Sequence, residues 1–157
     1  MNPQAESNGR AEQYQQSYAT ALRLLARREH SELELRNKLA ARSVPDEIIA
    51  AVQDELREAG LLSNRRFVEV YVRGRFERGY GPARIQAELY ERGIDSELMA
   101  QPLEALSQSW IDSAVRQRHK RFGHDLPEDY RERSRQMRFL QHRGFTGKQI
   151  RAAFDPR

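Results

Sequence analysis

The chain has 157 residues, 38% of them hydrophobic and 32% charged, with a net charge of +4. With no cysteine it can hold no disulfide framework, no thiolate metal site and no cysteine nucleophile. It has no run of about eighteen apolar residues to cross a bilayer, and its first ten residues lack the apolar core of a secretory signal, so a cytoplasmic protein is expected.

Residues 1–15 are rich in Gln, Glu, Ser and Asn and are expected to form a disordered tail. A first helix is expected over about 16–28, with Tyr18, Leu22 and Leu25 on one face. Ser31 with Glu34 three residues on is a capping-box pattern, so a second helix should cover 32–42 and bury Leu35 and Leu39. Val44-Pro45-Asp46-Glu47 supplies a break, a proline suited to a first turn, and two acids favoured at the positive end of a helix. The third helix then carries Ile48, Ile49, Val52 and Leu56 and stops at Gly60, a left-handed cap.

Ser63 caps a fourth helix running to about Arg78. Its apolar residues form two stripes, Phe67, Val70, Tyr71 and Gly74 on one side and Val68, Val72 and Phe76 on another. Such a helix either lies between two packed neighbours or offers one side to a partner. Gly79-Tyr80-Gly81-Pro82 is a turn that opens a fifth helix with Ile85 and Leu89, ended by Gly93. Asp95 or Ser96 caps a sixth with Leu98, Met99, Leu103 and Leu106, in which Pro102 is expected to make a kink or move the boundary. Trp110, Ile111, Ala114 and Val115 head a seventh helix ending near Gly123. Met137 and Leu140 mark an arginine-rich eighth, closed by Gly144. Thr146 and Gln149 repeat the capping-box pattern ahead of a short ninth carrying Ile150, Ala153 and Phe154.

The segment Glu34-Leu35 through Leu39, Arg42-Ser43-Val44 and Ile49 returns as Glu88-Leu89, Arg92-Gly93-Ile94 and Met99. It returns again as Arg135 to Leu140, Arg143-Gly144-Phe145 and Ile150. The period of about fifty residues predicts an all-α fold, an elongated array of three tandem three-helix repeats resembling helix-turn-helix units. The expected boundaries are a tail at 1–15, repeat 1 at 16–60, repeat 2 at 61–108 and repeat 3 at 109–157. No coiled-coil heptads argue for a dimer, and a monomer is expected.

Nothing in the chain resembles a catalytic dyad or triad, and no enzymatic activity is expected. His30, His119, His124 and His142 lack the spacing of a helical zinc site, so neither a metal nor another cofactor is expected. His30 is read as a capping-region residue. Gly79-Tyr80-Gly81-Pro82 is turn chemistry, not a phosphate-cradling loop. Glu34 with Lys38, Glu69 with Arg73 and Glu88 with Arg92 have the four-residue spacing of ion pairs on exposed helix faces.

Charge carries the remaining signal. Residues 1–60 hold 8 basic and 10 acidic groups, residues 61–109 hold 7 and 7, and residues 110–157 hold 12 and 6. The last third therefore has a field that attracts polyanions. Only Lys38, Lys120 and Lys148 among the 27 basic residues are lysines, and arginine's planar fork suits carboxylate and phosphate. Two groups follow as candidates: Arg27, Arg28, Arg73, Arg75, Arg78 and Arg84 for an acidic partner surface, and Arg116, Lys120, Arg121, Arg135, Arg138 and Arg143 for DNA or further acidic surface.

These residues resemble the RecX family of bacterial regulators of the RecA recombinase. The resemblance runs through Leu25-Ala26-Arg27-Arg28-Glu29-His30-Ser31 with Glu34-Leu35 and Leu39, then Gly60-Leu61-Leu62 with Arg66-Phe67. It continues through Arg73, Arg75, Gly79-Tyr80-Gly81-Pro82, Arg84-Ile85, Glu88-Leu89 and Arg92-Gly93-Ile94, and through Arg138-Phe139-Leu140 with Arg143-Gly144-Phe145. It implies tandem three-helix repeats and a protein that binds RecA filaments on DNA. It further implies that filament growth, ATP hydrolysis, strand exchange and coprotease activity toward LexA-type repressors are restrained. Single- or double-stranded DNA is a further expected partner. The alternative is an autonomous DNA-binding protein or transcriptional regulator that uses its repeats as helix-turn-helix readers.

Overall fold

A computed structural model describes residues 2–156; Met1 of the expected tail and Arg157 of the expected third repeat lie outside the described residues. All regular structure among the described residues is helical: α1 (Pro3–Arg27), α2 (Glu32–Ala40), α3 (Asp46–Glu58), α4 (Asn64–Glu77), α5 (Pro82–Glu91), α6 (Ser96–Glu104), α7 (Trp110–Phe122), α8 (Tyr130–Arg143) and α9 (Gly147–Ala152). Three successive trios of helices result, the all-α tandem arrangement that the period predicts. None of the described helices is long and apolar enough to cross a membrane.

The chain divides into two compact units, one ending at Phe67 and the other beginning at Val68. In the first, α1 and α2 pack on α3 around Leu35, Leu39, Ile49, Val52, Leu56 and Leu62, all 0–1% exposed. Burying each such side chain contributes about 2 kcal/mol. The face of α1 is in part the expected one, since Tyr18 and Leu25 pack against the core; Leu22 is instead 38% exposed, and Ser17 and Ala21 are buried with Leu24 beside them. Small side chains at two successive turns let the α1 backbone approach α3 closely, which the spacing of large residues does not reveal.

The expected tail is also corrected. Helix α1 begins at Pro3, where proline fills the first helical position and the Asn2 side chain accepts a hydrogen bond from the Gln4 amide at 3.1 Å. Tyr14 anchors this extension by stacking on Tyr18 and donating to the Glu55 carboxylate of α3. That bond, with burial second, pushes the Tyr14 phenol up to about 12.

The second unit joins the remainder of α4 to α9 around Val68, Val72, Ile85, Leu89, Met99, Trp110, Leu140 and Ile150. Phe76 meets Trp110 edge to face with centroids 5.4 Å apart. Of the two apolar stripes expected on α4, Phe67, Val68 and Val72 are buried and Val70 is 49% exposed. Helix α6 runs through Pro102 to Glu104.

One turn recurs in each trio and accounts for the repeated sequence signature. The amides of Val44, Ile94 and Phe145 donate to the carbonyls of Leu39, Leu89 and Leu140 at 3.3, 3.0 and 3.2 Å. The residue before each is left-handed: Ser43 at φ 63°, Gly93 at 76° and Gly144 at 100°. This is the hydrogen-bonding pattern that closes a helix with a Schellman turn. Each turn is pinned by a leucine of 0% exposure. The capping boxes expected at Ser31 with Glu34 and at Thr146 with Gln149 both form.

Candidate partner-binding surface

Three basic residues of the second unit gather where the turn before α5 meets the turn after α8. A helix leaves its first amides without intrahelical partners, and Gly81 and Pro82 offer α5 no capping side chain. The deficit is met by backbone. The Gly81 amide donates to the Arg143 carbonyl at 2.8 Å, and the Ala83 amide to the Gly144 carbonyl at 2.9 Å. A Cβ on Gly81 would collide with the Gly144 carbonyl and the Phe145 amide, and one on Gly144 with Arg84. The two glycines are therefore what permit this seam.

Tyr80 sits on the seam with three guanidiniums over its ring. The guanidinium carbons of Arg75, Arg84 and Arg143 lie 3.8, 4.5 and 4.8 Å from the ring centroid, within cation–π range. Two of them are tied further: Arg84 Nη1 donates to the His142 carbonyl at 3.1 Å, and Arg143 Nη1 to the Arg78 carbonyl at 3.3 Å. Stacking orients a guanidinium while leaving much of its N–H edge for a carboxylate or phosphate.

Glu88 is the carboxylate that counters this group. It accepts from Arg75 Nη2 at 2.7 Å, from Arg84 Nε at 3.2 Å and from the Tyr71 hydroxyl. Burial alone would push the Glu88 carboxyl up, but the bonds from Tyr71, Arg75 and Arg84 outweigh it and hold the group below the usual carboxylate range. The same contact, added to burial as the larger cause, pushes the Tyr71 phenol up to about 12. Arg75 and Glu88 are 18% and 17% exposed at their side chains, so this pair is sheltered whereas Arg84, at 44%, faces solvent.

The strip continues onto α7 and α8. Arg143 also lies 5.6 Å from the Phe139 centroid, and Phe139 meets Phe122 edge to face at 5.3 Å. Arg121 lies 5.9 Å from Phe139, and Arg135 lies 5.0 Å from Phe122 while bonding Glu132. Arginine and aromatic side chains thus alternate from Tyr80 to Phe122.

The twelve candidate residues are not all gathered. Arg75, Arg84 and Arg143 converge on Tyr80, Arg78 adjoins them through its carbonyl, and Arg121 and Arg135 extend the strip. Arg143, read from sequence with the second group, therefore belongs to both. Arg116, Lys120 and Arg138 are exposed on α7 and α8 outside these ring contacts. Arg73 lines a separate groove with Phe76, Pro102 and Leu106. Arg27 and Arg28 belong to the first unit, where Arg28 bonds Glu34 at 2.8 Å.

Three expected ion pairs are absent among the described residues. Glu34 takes Arg28 in place of Lys38, and Glu88 takes Arg75 and Arg84 while Arg92 donates to the Glu88 backbone carbonyl. Glu69 and Arg73 form no pair. Lys38 instead lies 2.8 Å from His30 Nε2, and His30 Nδ1 is 3.1 Å from the Arg28 carbonyl. A carbonyl only accepts, so Nδ1 carries the proton and Nε2 accepts from the ammonium. His30 is 1% exposed, and burial foremost lowers its pKa. Tyr80 and Glu88, the two side chains that organise the strip, are functional candidates that basic charge in the sequence does not mark. The glycines flanking Tyr80 are the signal that marks its position.

Comparison with known proteins places these features in a family. The chain matches the models described as RecX first, second and third three-helix domain over residues 18–56, 63–103 and 110–154. It is 49% identical over 133 residues to the "Regulatory protein RecX" of Halorhodospira halophila, covering 85% of this chain and 83% of that protein. It is 44% identical to the protein of the same name from Pseudomonas entomophila, covering 83% and 84%. Among solved structures, "Crystal structure of RecX from Lactobacillus salivarius" matches with a TM-score of 0.77 at 22% identity, over 91% of this chain and 95% of that one. "Crystal structure of regulatory protein RecX" matches with a TM-score of 0.84 at 20% identity, over 99% and 80%.

Proposed function

The chain belongs to the RecX family, and on that premise we propose that it is a non-enzymatic regulator of the RecA recombinase. In this reading it binds RecA filaments on DNA and restrains their growth, ATP hydrolysis, strand exchange and coprotease activity, and so modulates repair and the SOS response. It acts as a cytoplasmic monomer without a cofactor.

The observation that carries the reading is the convergence of Arg75, Arg84 and Arg143 on Tyr80. Guanidiniums already held on a ring lose less side-chain freedom on meeting an anionic surface than free ones do, so more of the contact energy appears as affinity. Arg84 and Arg143, with Arg78 beside them, Arg73 in its separate groove and Arg27 and Arg28 on the first unit, contact acidic filament surface. Arg116, Lys120, Arg121, Arg135 and Arg138 contact DNA or further acidic surface. The test is RecA's DNA-dependent ATPase with sub-stoichiometric amounts of this chain. The rate should fall, and Arg84→Glu and Arg143→Glu should each weaken the effect. An unchanged rate at every ratio removes the idea.

The second reading, an autonomous DNA reader, draws support from exposed Lys148 and Arg151 on α9. Against it, α3 opens on Asp46 and Glu47, and α6 on Glu97 behind its Asp95 cap, acids that repel phosphate where a recognition helix would enter a groove. Mobility shifts of duplex DNA with and without RecA separate the two.

A further inference from the structure

The third trio buries a cation that the surface strip does not use. Arg118 of α7 is 3% exposed. Its Nε donates to the Ala153 carbonyl and its Nη1 to the Asp125 carbonyl, both at 3.3 Å, and its guanidinium carbon lies 5.3 Å from the Phe154 centroid. Those carbonyls engage two of five N–H groups. Among the described residues nothing else bonds Arg118, and no carboxylate forms an ion pair with it. Burial, the one influence acting on its pKa, lowers it. A desolvated cation without a counter-ion is costly unless something negative reaches it.

Beside Arg118 lies a cavity of about 320 Å³, also lined by Val115, His119, His124, Leu126 and Asp155. The imidazoles of His119 and His124 are 4.2 Å apart and tilted by 46°. Arg133 places a second guanidinium 5.0 Å from the Phe154 ring that Arg118 overlies. Asp155 is the acid of the lining, and it is exposed and forms no ion pair among the described residues.

We propose that this cavity binds a phosphate group, held by the unengaged N–H groups of Arg118 and by the His124 imidazole. A phosphate, with more acceptor oxygens and more charge than a carboxylate, suits several donors drawn from two side chains. The cavity admits a phosphate with a short substituent and is too small for a duplex. The phosphate comes from solution or from the end of a nucleic-acid strand. This site is independent of the Tyr80 strip and of recombinase binding.

Calorimetric titration of the full chain tests it, with inorganic phosphate at an ionic strength held constant with chloride. Parallel arms use a short single strand with a 5′-phosphate and its 5′-hydroxyl twin. Saturable phosphate binding is expected. A preference for the phosphorylated strand assigns the site to strand ends, and equal binding of the two strands assigns it to the free anion. Arg118→Lys and His124→Ala should each weaken binding about tenfold. Should Arg118→Lys fail to fold, exposed His124 still decides the matter. Wild-type affinity in His124→Ala, no saturation by phosphate or phosphorylated strand, or acetate binding as tightly as phosphate would each overturn the proposal.

Discussion

Gly144 stands so close to Arg84 that a methyl group on its Cα would strike both the Cβ and the backbone nitrogen of that residue. Its φ of +100° adds a second requirement, because L side chains rarely adopt that conformation. Gly144→Ala should cost about 3 kcal/mol from backbone strain and overpacking together. Gly60→Ala has the strain without the collision, since nothing lies within 4 Å of its Cβ position at φ +73°, and should cost about 1 kcal/mol. Urea midpoints of the two variants provide the comparison, and equal losses would mean that the seam contributes nothing to stability.

Ser43 occupies the position that Gly93 and Gly144 hold in the other two trios, and it is the one non-glycine residue with positive φ among those described. Its exposed side chain gains no burial that offsets the strain. Ser43→Gly should therefore stabilise the chain by about 0.5–1 kcal/mol, the relief of left-handed strain less the extra freedom of glycine in the unfolded state. A rise in the denaturation midpoint is the expected result, and a fall would show the serine to be engaged.

The buried His30 sets a pH dependence. Its neutral ring accepts from Lys38, so protonation would both charge a desolvated group and face it with an ammonium. The folded-state pKa lies below the unfolded value of 6.5. The native state therefore binds fewer protons, stability is fully present above that value, and it declines as pH falls from there through the folded pKa. Glu34 and Glu88, whose pKa values are also lowered, lose their contributions only below about 4.5. The slope just below pH 6.5 should disappear in His30→Gln; denaturation midpoints measured as pH falls from there check it, and an unchanged slope would assign it to another group.

Glu88 gathers three donors, and Arg75 Nε is already buried without a partner. Glu88→Gln keeps the shape but removes the charge and should cost about 1–3 kcal/mol. Because it releases Arg84, a side chain 44% exposed, recombinase inhibition per folded molecule should not decline. Thermal denaturation and the ATPase assay on one preparation separate the two effects; weaker inhibition at full folding would make Glu88 part of the contact itself.

What could be read from the sequence was what the chain decides within a few residues. Ser31 with Glu34 and Thr146 with Gln149 cap their helices as the four-residue pattern implies, and Gly60, Gly93 and Gly144 are left-handed where helix ends were expected. The period of fifty residues carries the three trios because each turn repeats one bond, donated to the carbonyl of Leu39, Leu89 or Leu140. Choices among distant partners were not legible. Glu88 has an arginine at the ideal four-residue spacing in Arg92, yet its carboxylate is taken by Arg75 and Arg84 once α4 and α5 fold together. Arg143 stands far along the chain from Tyr80, and only the contact between two turns joins what composition had divided into two basic groups. Helix α1 hid part of its packed face for the opposite reason, since Ser17 and Ala21 are too small to register in a count of apolar bulk.

The opening of α5 has no cap of its own and borrows the carbonyls of residues 143 and 144. Arg84 and Arg143 are mounted on opposite lips of that borrowed joint, so their Cα atoms cannot part without unfastening main chain. The joint thus fixes the interval at which the two side chains are rooted, and each guanidinium reaches out from a base that the main chain holds.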